Sequence, residues 1–222
     1  MRHETLKRPE AILFDAGGTL VVQDPVELSR LLGIPVDPAR AFEAHYRAMD
    51  AYARLRLAGD ERTWVWWQAR FFGDLGLADP DSGAGLTNNG YGIWTAAIEG
   101  AVDAVSRLRE EGIRTAVVSN SDGSVRESLS RAGFDGLFEF VLDSHEVGVA
   151  KPDPLIFTHA LERLGVDASG AWYVGDSVFH DVGGADRAGL ASVLVDPLRL
   201  AQHHPFRVAS VAELPDLVRR LP

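Results

Sequence analysis

The feature that most constrains the fold is the regular alternation of strand and helix patterns after residue 100. Short β-branched runs such as RTAVVSN (114–120) and ASVLVD (191–196) are separated by segments with helical periodicity, several of which end at a glycine. Strands that alternate with helices indicate a parallel sheet with helices on both faces. We therefore predict an α/β fold with a Rossmann-like parallel-sheet core.

The predicted elements after residue 100 are short and closely spaced. Apolar residues that recur at helical spacing predict helices at 101–112, 124–133, 154–165 and 181–189. Together with the apolar run at 11–14, strands are predicted at 114–120, 138–143, 171–176 and 191–196. These elements make up the predicted sheet and its covering helices.

Residues 21–100 follow a different pattern, with helical periodicity and no predicted strand. Helices are expected at 28–32, 39–57 and 62–75, and the stretch 77–92 is loop-like because Pro, Gly and Asn cluster there. We interpret this part as an all-helical insertion between the first strand and the rest of the sheet. Its aromatic segment TWVWWQARFF (63–72) is expected to be mostly core packing, with a minority of rings lining a pocket.

Composition excludes several classes of function. The formal net charge is −10, which disfavours nucleic-acid binding. No stretch of about 18 apolar residues suggests a membrane span, and the polar opening MRHETLKRPE does not resemble a secretion signal. We therefore expect a cytoplasmic protein with no membrane and no nucleic-acid partner. The chain has no cysteine, and its 222 residues can bury a core without disulfides or structural metal.

Polar residues follow the predicted strands at the edge where open parallel sheets bind their ligands. Taken singly, each has a structural explanation as a turn aspartate, a helix N-cap or a solvated loop lysine. Their occurrence in this order, each at a strand end or in the loop that follows, favours a site instead. The residues are Asp15, Ser119, Asn120, Lys151, Asp176 and Asp181.

The charges of these residues predict a cation and an anion at the same edge. Carboxylates at 15, 176 and 181 would repel one another by roughly 4 kcal/mol per pair at about 4 Å, unless a cation lies among them. Oxygen ligands without His or Cys suit Mg²⁺. Lys151 is one of only two lysines among 22 basic residues. A metal and an ammonium group, beside a backbone opened by Gly17 and Gly18, make phosphate the natural anion.

Four stretches in this order resemble the motifs of the haloacid dehalogenase-like (HAD) hydrolase superfamily. They are FDAGGTL (14–20), VVSN (117–120), GVAKPDPLIF (148–157) and YVGDSVFHDVGGADRAG (173–189). The resemblance implies a Rossmann-like core formed by residues 1–20 and 101–222, with residues 21–100 as a helical type-1 cap. It also implies a hydrolase, most simply a phosphatase acting on a small phosphorylated molecule.

The resemblance also implies roles for the residues at the strand ends. Asp15 would be the nucleophile that forms an aspartyl-phosphate, and Ser119 would hydrogen-bond the phosphoryl group with Asn120 and Gly18 beside it. Lys151 would neutralise the charge of the nucleophile and the phosphate. The metal ligands would be Asp15, the Gly17 carbonyl, Asp176 and Asp181, the last directly or through water, and the metal would be Mg²⁺.

The departure from the family pattern is at Gly17, where family phosphatases usually carry a second aspartate as general acid and base. Such proton transfer typically contributes about 10²–10⁴-fold to the rate. Replacement acids could come from the substrate or from the cap, where the candidates are His45, Tyr46, Asp50 and Glu61. The sequence does not choose among them.

Two other functions remain open because of Gly17. Dehalogenases of this superfamily also lack the second acid, since a halide leaves without a proton, but they use no metal and lack the Gly175–Asp176 pair. A phosphate-binding module with little turnover is the other alternative. Neither the substrate nor the choice between monomer and homodimer can be read from the sequence.

Overall fold

The computed structural model describes residues 5–61, 64–77 and 90–221, with the side chains at 90 and 91 left out. Its main sheet has six parallel strands in the order β5-β4-β1-β6-β7-β8. A separate two-stranded antiparallel pair joins β2 and β3. The strands are β1 (Ala11–Phe14), β2 (Val21–Val22), β3 (Ala96–Ala97), β4 (Arg114–Ser119), β5 (Val141–Asp143), β6 (Ala171–Gly175), β7 (Ala191–Val195) and β8 (Arg207–Val208).

Nine α-helices are found within the described ranges. They are α1 (Pro25–Leu32), α2 (Pro38–Leu57), α3 (Trp64–Asp74), α4 (Ala101–Glu110), α5 (Val125–Arg131), α6 (Ser144–Val147), α7 (Pro154–Leu164), α8 (Gly183–Ala188) and α9 (Leu214–Arg219). Short 3-10 turns lie at Gly90–Ile93, Ala168–Gly170 and Val211–Glu213, and a π-helical turn at Val178–Val182 precedes α8. Every helix in these ranges is too short or too polar to cross a lipid bilayer.

The sheet has an apolar core on each face because successive side chains of a strand point in opposite directions. In β1, Ile12 and Phe14 join the cluster formed with α4, α5 and α9. Ala11 and Leu13 join the opposite cluster, formed chiefly with α7. All four β1 side chains are buried, so the strand that ends at Asp15 is held firmly at the centre of the fold.

The chain between β2 and β3, residues 23–95, is called the insertion below. Its described helices α1, α2 and α3 pack around a third apolar cluster that includes Leu28, Met49, Trp67 and Phe71. Asp24 and Asp37 cap the first two helices by accepting hydrogen bonds from backbone N–H groups of their first turns. The β2–β3 pair joins the two chain segments that enter and leave the insertion.

The predicted α/β fold is confirmed, and most predicted elements are found with shifted ends. The strand predicted at 138–143 has a regular ladder only from Val141, although Glu139 and Phe140 already exchange backbone hydrogen bonds with β4. The helix predicted at 181–189 begins with the π-helical turn. The short elements β2, β3, β8, α6 and α9 were not predicted. Residues 62–63 and most of the predicted loop 77–92 lie outside the described residues.

Candidate active site

A buried lysine forms the centre of the site. The Lys151 Nζ donates to Asp15 Oδ1 at 2.7 Å, to Asp181 Oδ1 at 2.7 Å and to the Tyr173 hydroxyl at 2.8 Å. An ammonium group has three N–H donors, so this group is fully engaged without water. Burial alone would lower the pKa of Lys151, but the two ion pairs outweigh it and raise that pKa, which keeps the side chain charged.

Asp15 lies directly after the central strand and faces this lysine. Its backbone N–H donates to the Val174 carbonyl at 2.8 Å, which continues the β1–β6 pairing past the end of β1. The Ser119 hydroxyl, at the end of β4, donates to Asp15 Oδ1 at 3.2 Å. The structure therefore brings together Asp15, Ser119 and Lys151 as the strand-end pattern predicted.

The two remaining carboxylates of the site come from the β6 end and the π-helical turn. Asp181 accepts Lys151 on one oxygen and the Ser177 backbone N–H on the other at 2.8 Å. The side chain of Asp181 lies against Gly175, where an added Cβ would be 2.4 Å from Asp181 Cγ. Gly175 therefore leaves the space in which Asp181 reaches Lys151.

The carboxylates at 15, 176 and 181 suit a hard divalent cation. One oxygen from each lies within 4.8 Å of the others, and all three residues are buried. Asp176 Oδ1 is buried and has no hydrogen-bond partner among the described residues, a condition that a metal ion would relieve. Oxygen donors of this kind fit Mg²⁺.

The pKa values of two of these carboxyl groups are raised, chiefly because both groups are buried. Burial raises the pKa of Asp15 to about 7, although Lys151 opposes the shift. Burial also raises the pKa of Asp176, and the contact with His45 opposes that shift. A divalent cation would stabilise the ionised form of both groups, because a nearby opposite charge favours the charged state.

Asn120 and Gly18 lie beside the site but make contacts that the sequence did not predict. The Asn120 carboxamide bonds to both backbone groups of Lys151, accepting from its N–H at 2.8 Å and donating to its carbonyl at 2.9 Å. It therefore positions the lysine. The Gly18 N–H donates to the Val21 carbonyl at 2.7 Å, so this donor is used within the loop.

Two of the four replacement acids suggested by the sequence reach the site. His45 is fully buried, and its Nε2 lies 2.7 Å from Asp176 Oδ2. The neighbouring Tyr46 hydroxyl donates to the Gly18 carbonyl at 2.7 Å. Asp50 instead pairs with Arg54 on α2, and Glu61 is exposed. Helix α2 thus contacts the site through two adjacent side chains, one bonded to Asp176 and the other to the Gly18 carbonyl.

Gly18 makes the contact between α2 and the β6 end possible. Its φ is +75°, a conformation that favours glycine. A Cβ at this position would be 2.2 Å from both Asp176 Oδ2 and His45 Nε2. The second glycine of the FDAGGTL motif is thus required by packing as well as by backbone conformation.

The space beside Gly17, where a second motif acid would project, is occupied by an indole ring. An added Cβ at Gly17 would be 3.0 Å and 3.1 Å from two carbons of the Trp94 six-membered ring. Trp94 also packs edge-on against His45, with ring centroids 5.4 Å apart. Sequence reasoning missed Trp94, Tyr173 and the His45 contact. A signal existed only for Tyr173, which strand alternation places on the same sheet face as Ala11 and Leu13.

A pocket of about 280 Å³ opens above these residues. Its floor includes Asp15, Lys151, Asp176 and Asp181, and serines contribute to its lining. Among the expected aromatic residues of the insertion, Trp64 lines the pocket whereas Trp67, Phe71 and Phe72 are buried. The other apolar or aromatic lining residues are Ala16, Val21, Met49, Tyr52, Trp94, Val125 and His180.

Two relatives with named activities resemble this chain. A glyceraldehyde 3-phosphate phosphatase of Methanopyrus kandleri is 36% identical over 129 residues, covering 54% of this chain and 55% of that protein. A ribulose-1,5-bisphosphate 5-phosphatase of Halopiger xanaduensis is 30% identical over 206 residues, covering 84% of each. The chain spans about half the length of the first curated relatives it matches.

Comparison with solved structures identifies the same fold. The L-2-haloacid dehalogenase from Xanthobacter autotrophicus with chloropropionic acid covalently bound superposes with a TM-score of 0.65 and 23% identity, covering 96% of this chain and 100% of that one. Residues 9–189 match the haloacid dehalogenase-like hydrolase family. These residues include all four motifs and every residue of the site. The chain therefore belongs to the haloacid dehalogenase-like hydrolase family.

Proposed function

We propose that this protein is a metal-dependent phosphatase that hydrolyses a small phosphomonoester through an aspartyl-phosphate on Asp15. The observation that carries the proposal is the pairing of Asp15 with Lys151 next to the unpartnered oxygen of Asp176. Phosphoryl transfer depends mainly on positioning and on stabilising negative charge. The phosphatase names of two relatives support this assignment.

In the proposed reaction, a carboxylate oxygen of Asp15 attacks phosphorus and the bond to the leaving group breaks. Lys151 neutralises charge on the nucleophile and the phosphoryl oxygens, and Ser119 donates a hydrogen bond beside Asp15. Asn120 holds the backbone of Lys151 in place. Water then attacks the aspartyl-phosphate, which releases phosphate and regenerates Asp15.

The metal in this proposal would be Mg²⁺, held by Asp15, Asp176 and Asp181 with help from the Gly17 carbonyl. When bound, it would neutralise charge on the transferring phosphoryl group. Residues 1–20 and 101–222 would form the catalytic core, and residues 21–100 the cap above it. We further propose a cytoplasmic monomer or homodimer, with a small phosphorylated molecule as its partner.

The test is hydrolysis of para-nitrophenyl phosphate with and without Mg²⁺. We expect metal-dependent release of nitrophenolate, and loss of the activity by at least about 10⁴-fold in Asp15→Asn, since the nucleophile is removed. Asp37→Asn is the matched control because asparagine also caps helices, so its activity should be unchanged. Equal rates in wild type and Asp15→Asn would contradict the proposal and favour a phosphate-binding module.

A 2-haloacid dehalogenase is the second candidate, favoured by the absence of an acid at Gly17 and by Trp94 in its place. Halide departure needs no proton, so such a site would suffice. Against it, the carboxylates of Asp176 and Asp181 lie beside Asp15 and favour a bound cation. Displacement of chloride from an uncharged carbon needs no such cation. Metal-independent release of chloride from 2-chloropropionate, without phosphatase activity, would establish the dehalogenase.

A further inference from the structure

We propose that the substrate is an aryl phosphate, meaning a phosphate ester of a phenol-like hydroxyl, and that alkyl phosphates are poor substrates. This inference rests on the proposed phosphatase function and concerns the leaving group. It follows from two features of the pocket: among the described residues, the side chains nearest to Asp15 leave no proton donor free for an alkoxide, and one wall is aromatic. It separates this chain from the sugar-phosphate activities named for its relatives.

The space in which a second acid could protonate the leaving group is filled by the carbon atoms of an indole ring. Gly17 lines the pocket, and the Trp94 ring occupies the place of its missing side chain at 3.0–3.1 Å. Trp94 is fixed there by contacts with both the sheet core and the insertion, including the His45 ring. The gap left by the missing acid is thus closed by an indole ring and not by a polar group.

The donors nearest to Asp15 are already engaged with protein atoms. Lys151 uses its three N–H groups on Asp15, Asp181 and Tyr173. The His45 Nε2 contacts Asp176, the Tyr46 hydroxyl donates to the Gly18 carbonyl, and neither residue belongs to the described lining of the pocket. None of these groups is free to protonate an alkoxide as it departs.

The remaining polar groups of the described lining are poor acids or part of the wall. Burial raises the pKa of the Tyr52 hydroxyl above its usual value near 10, and serine hydroxyls are weaker acids still. His180 stacks on the Tyr52 ring, with centroids 5.6 Å apart, and its Nδ1 lies 3.3 Å from the Ser177 hydroxyl. The described lining therefore favours a leaving group that departs as a stable anion.

A phenolate is such an anion, since a phenol has a pKa near 10 and an alkyl alcohol is a far weaker acid. In the first step, Asp15 bonds to phosphorus, the ester P–O bond breaks and the aryloxide leaves with the electron pair. The aryloxide takes a proton from solvent. In the second step, water bonds to phosphorus and the bond from phosphorus to the Asp15 oxygen breaks, which returns the electron pair to the carboxylate. One proton of the water goes to solvent, which replaces the proton taken by the aryloxide, and the other stays on the released hydrogen phosphate.

The pocket wall matches an aromatic leaving group. Met49, Tyr52, Trp64 and Trp94 from the insertion face the same space as Val125. Within the described lining, Lys151 is the sole Lys or Arg and it is engaged in the floor, so a second phosphate or a carboxylate on the substrate would lack a cationic partner. Flat aromatic faces bind rings by stacking and by burial of apolar area.

Three phosphate esters test the inference on the wild-type protein with Mg²⁺: phenyl, benzyl and cyclohexyl phosphate. Phenyl and benzyl phosphate share the aromatic ring, but only phenyl phosphate has an acidic leaving group. We expect kcat/KM, which reports formation of the aspartyl-phosphate, to be at least about 100-fold lower for benzyl phosphate than for phenyl phosphate, the lower bound for a missing general acid. We expect similar KM values for these two and a higher KM for cyclohexyl phosphate.

The outcomes separate this inference from the proposed function. A phenyl-to-benzyl ratio of kcat/KM below about 100 would overturn the leaving-group inference, because a proton donor would then be present. An equal KM for phenyl and cyclohexyl phosphate would overturn the aromatic pocket. Both results leave the phosphatase assignment intact, whereas failure to cleave any of the esters above the Asp15→Asn background would contradict the phosphatase itself.

A pair of variants supplies an independent check. Gly17→Asp combined with Trp94→Ala should reduce the phenyl-to-benzyl ratio of kcat/KM by at least about tenfold, because the new acid gains the space of the indole. Gly17→Asp alone should change the ratio less, since the ring blocks the carboxyl group. An unchanged ratio in a folded double variant would count against the inference. The ester series on the wild type decides the question if the double variant does not fold.

Discussion

In the floor of the pocket, charged groups are held by specific hydrogen bonds at the ends of sheet strands, whereas the wall is formed by aromatic rings, several of them from the insertion. Lys151 has each of its donors assigned to a named acceptor, and Asp181 has both oxygens engaged. Trp64 and Tyr52, by contrast, are placed by packing. The comparison suggests that the floor sets the reaction and the wall selects the leaving group.

The largest effect should come from removing the charge at the centre of the floor. Lys151→Met leaves Asp15 and Asp181 without their cation, so we expect kcat to fall by about 10²–10³-fold. The free energy of unfolding should fall by about 3–5 kcal/mol, the usual effect of breaking a buried pair. Kinetics with para-nitrophenyl phosphate and urea denaturation measure both quantities.

The other lysine provides a matched control for this prediction. Lys7 is exposed, so Lys7→Met should leave kcat unchanged and alter stability by less than about 0.5 kcal/mol. If Lys151→Met retained wild-type turnover, the floor would not depend on this ammonium group, and the contrast between floor and wall would be lost.

A smaller effect should follow from filling the space next to Asp181. Gly175→Ala places a carbon 2.4 Å from Asp181 Cγ, so the carboxylate must move away from Lys151. We expect kcat to fall roughly tenfold or more, and overpacking to lower the free energy of unfolding by about 1–3 kcal/mol. Activity assays and thermal unfolding with and without Mg²⁺ would show both effects.

Gly73→Ala is the control for this substitution because an added Cβ there meets nothing within 4 Å in the described structure. Since it lies within α3, we expect stabilisation by up to about 1 kcal/mol and unchanged kcat. Equal behaviour of the two variants would show that Asp181 does not need the space at Gly175.

The smallest effect concerns the link between the insertion and the floor. Tyr46→Phe removes the hydrogen bond to the Gly18 carbonyl, so the free energy of unfolding should fall by about 0.5–1.5 kcal/mol. Turnover should change by less than about threefold, because the hydroxyl is outside the pocket lining. A loss of kcat comparable to that of Lys151→Met would instead place Tyr46 in the catalytic machinery.

The elements that the sequence predicts well are those with local signals. Gly112, Gly133 and Gly165 lie where a helix was expected to end, and each has a positive φ. The parallel sheet follows from the alternation of strands and helices, and that topology brings Asp15, Ser119 and Lys151 together from distant parts of the chain. The strand-end rule therefore predicts the floor, although it does not give the role of each residue.

The contacts between the insertion and the core depend on tertiary packing, and no local pattern in the sequence indicates them. His45 and Asp176 are 131 residues apart, and nothing in the spacing of either indicates that they touch. Trp94 follows a short 3-10 turn without periodicity, so its position against Gly17 could not be predicted. The sequence therefore shows that an acid is missing at Gly17 but not what fills the space.

The burial of Lys151 has a practical consequence for chemical labelling. Lys151 is 4% exposed and its ammonium group is fully hydrogen-bonded, whereas Lys7 is exposed to solvent. Of the two lysines, an amine-reactive dye or a surface-coupling reagent would thus modify Lys7 and spare Lys151. The protein could be tethered or fluorescently tagged through that side chain while its pocket remains free to work.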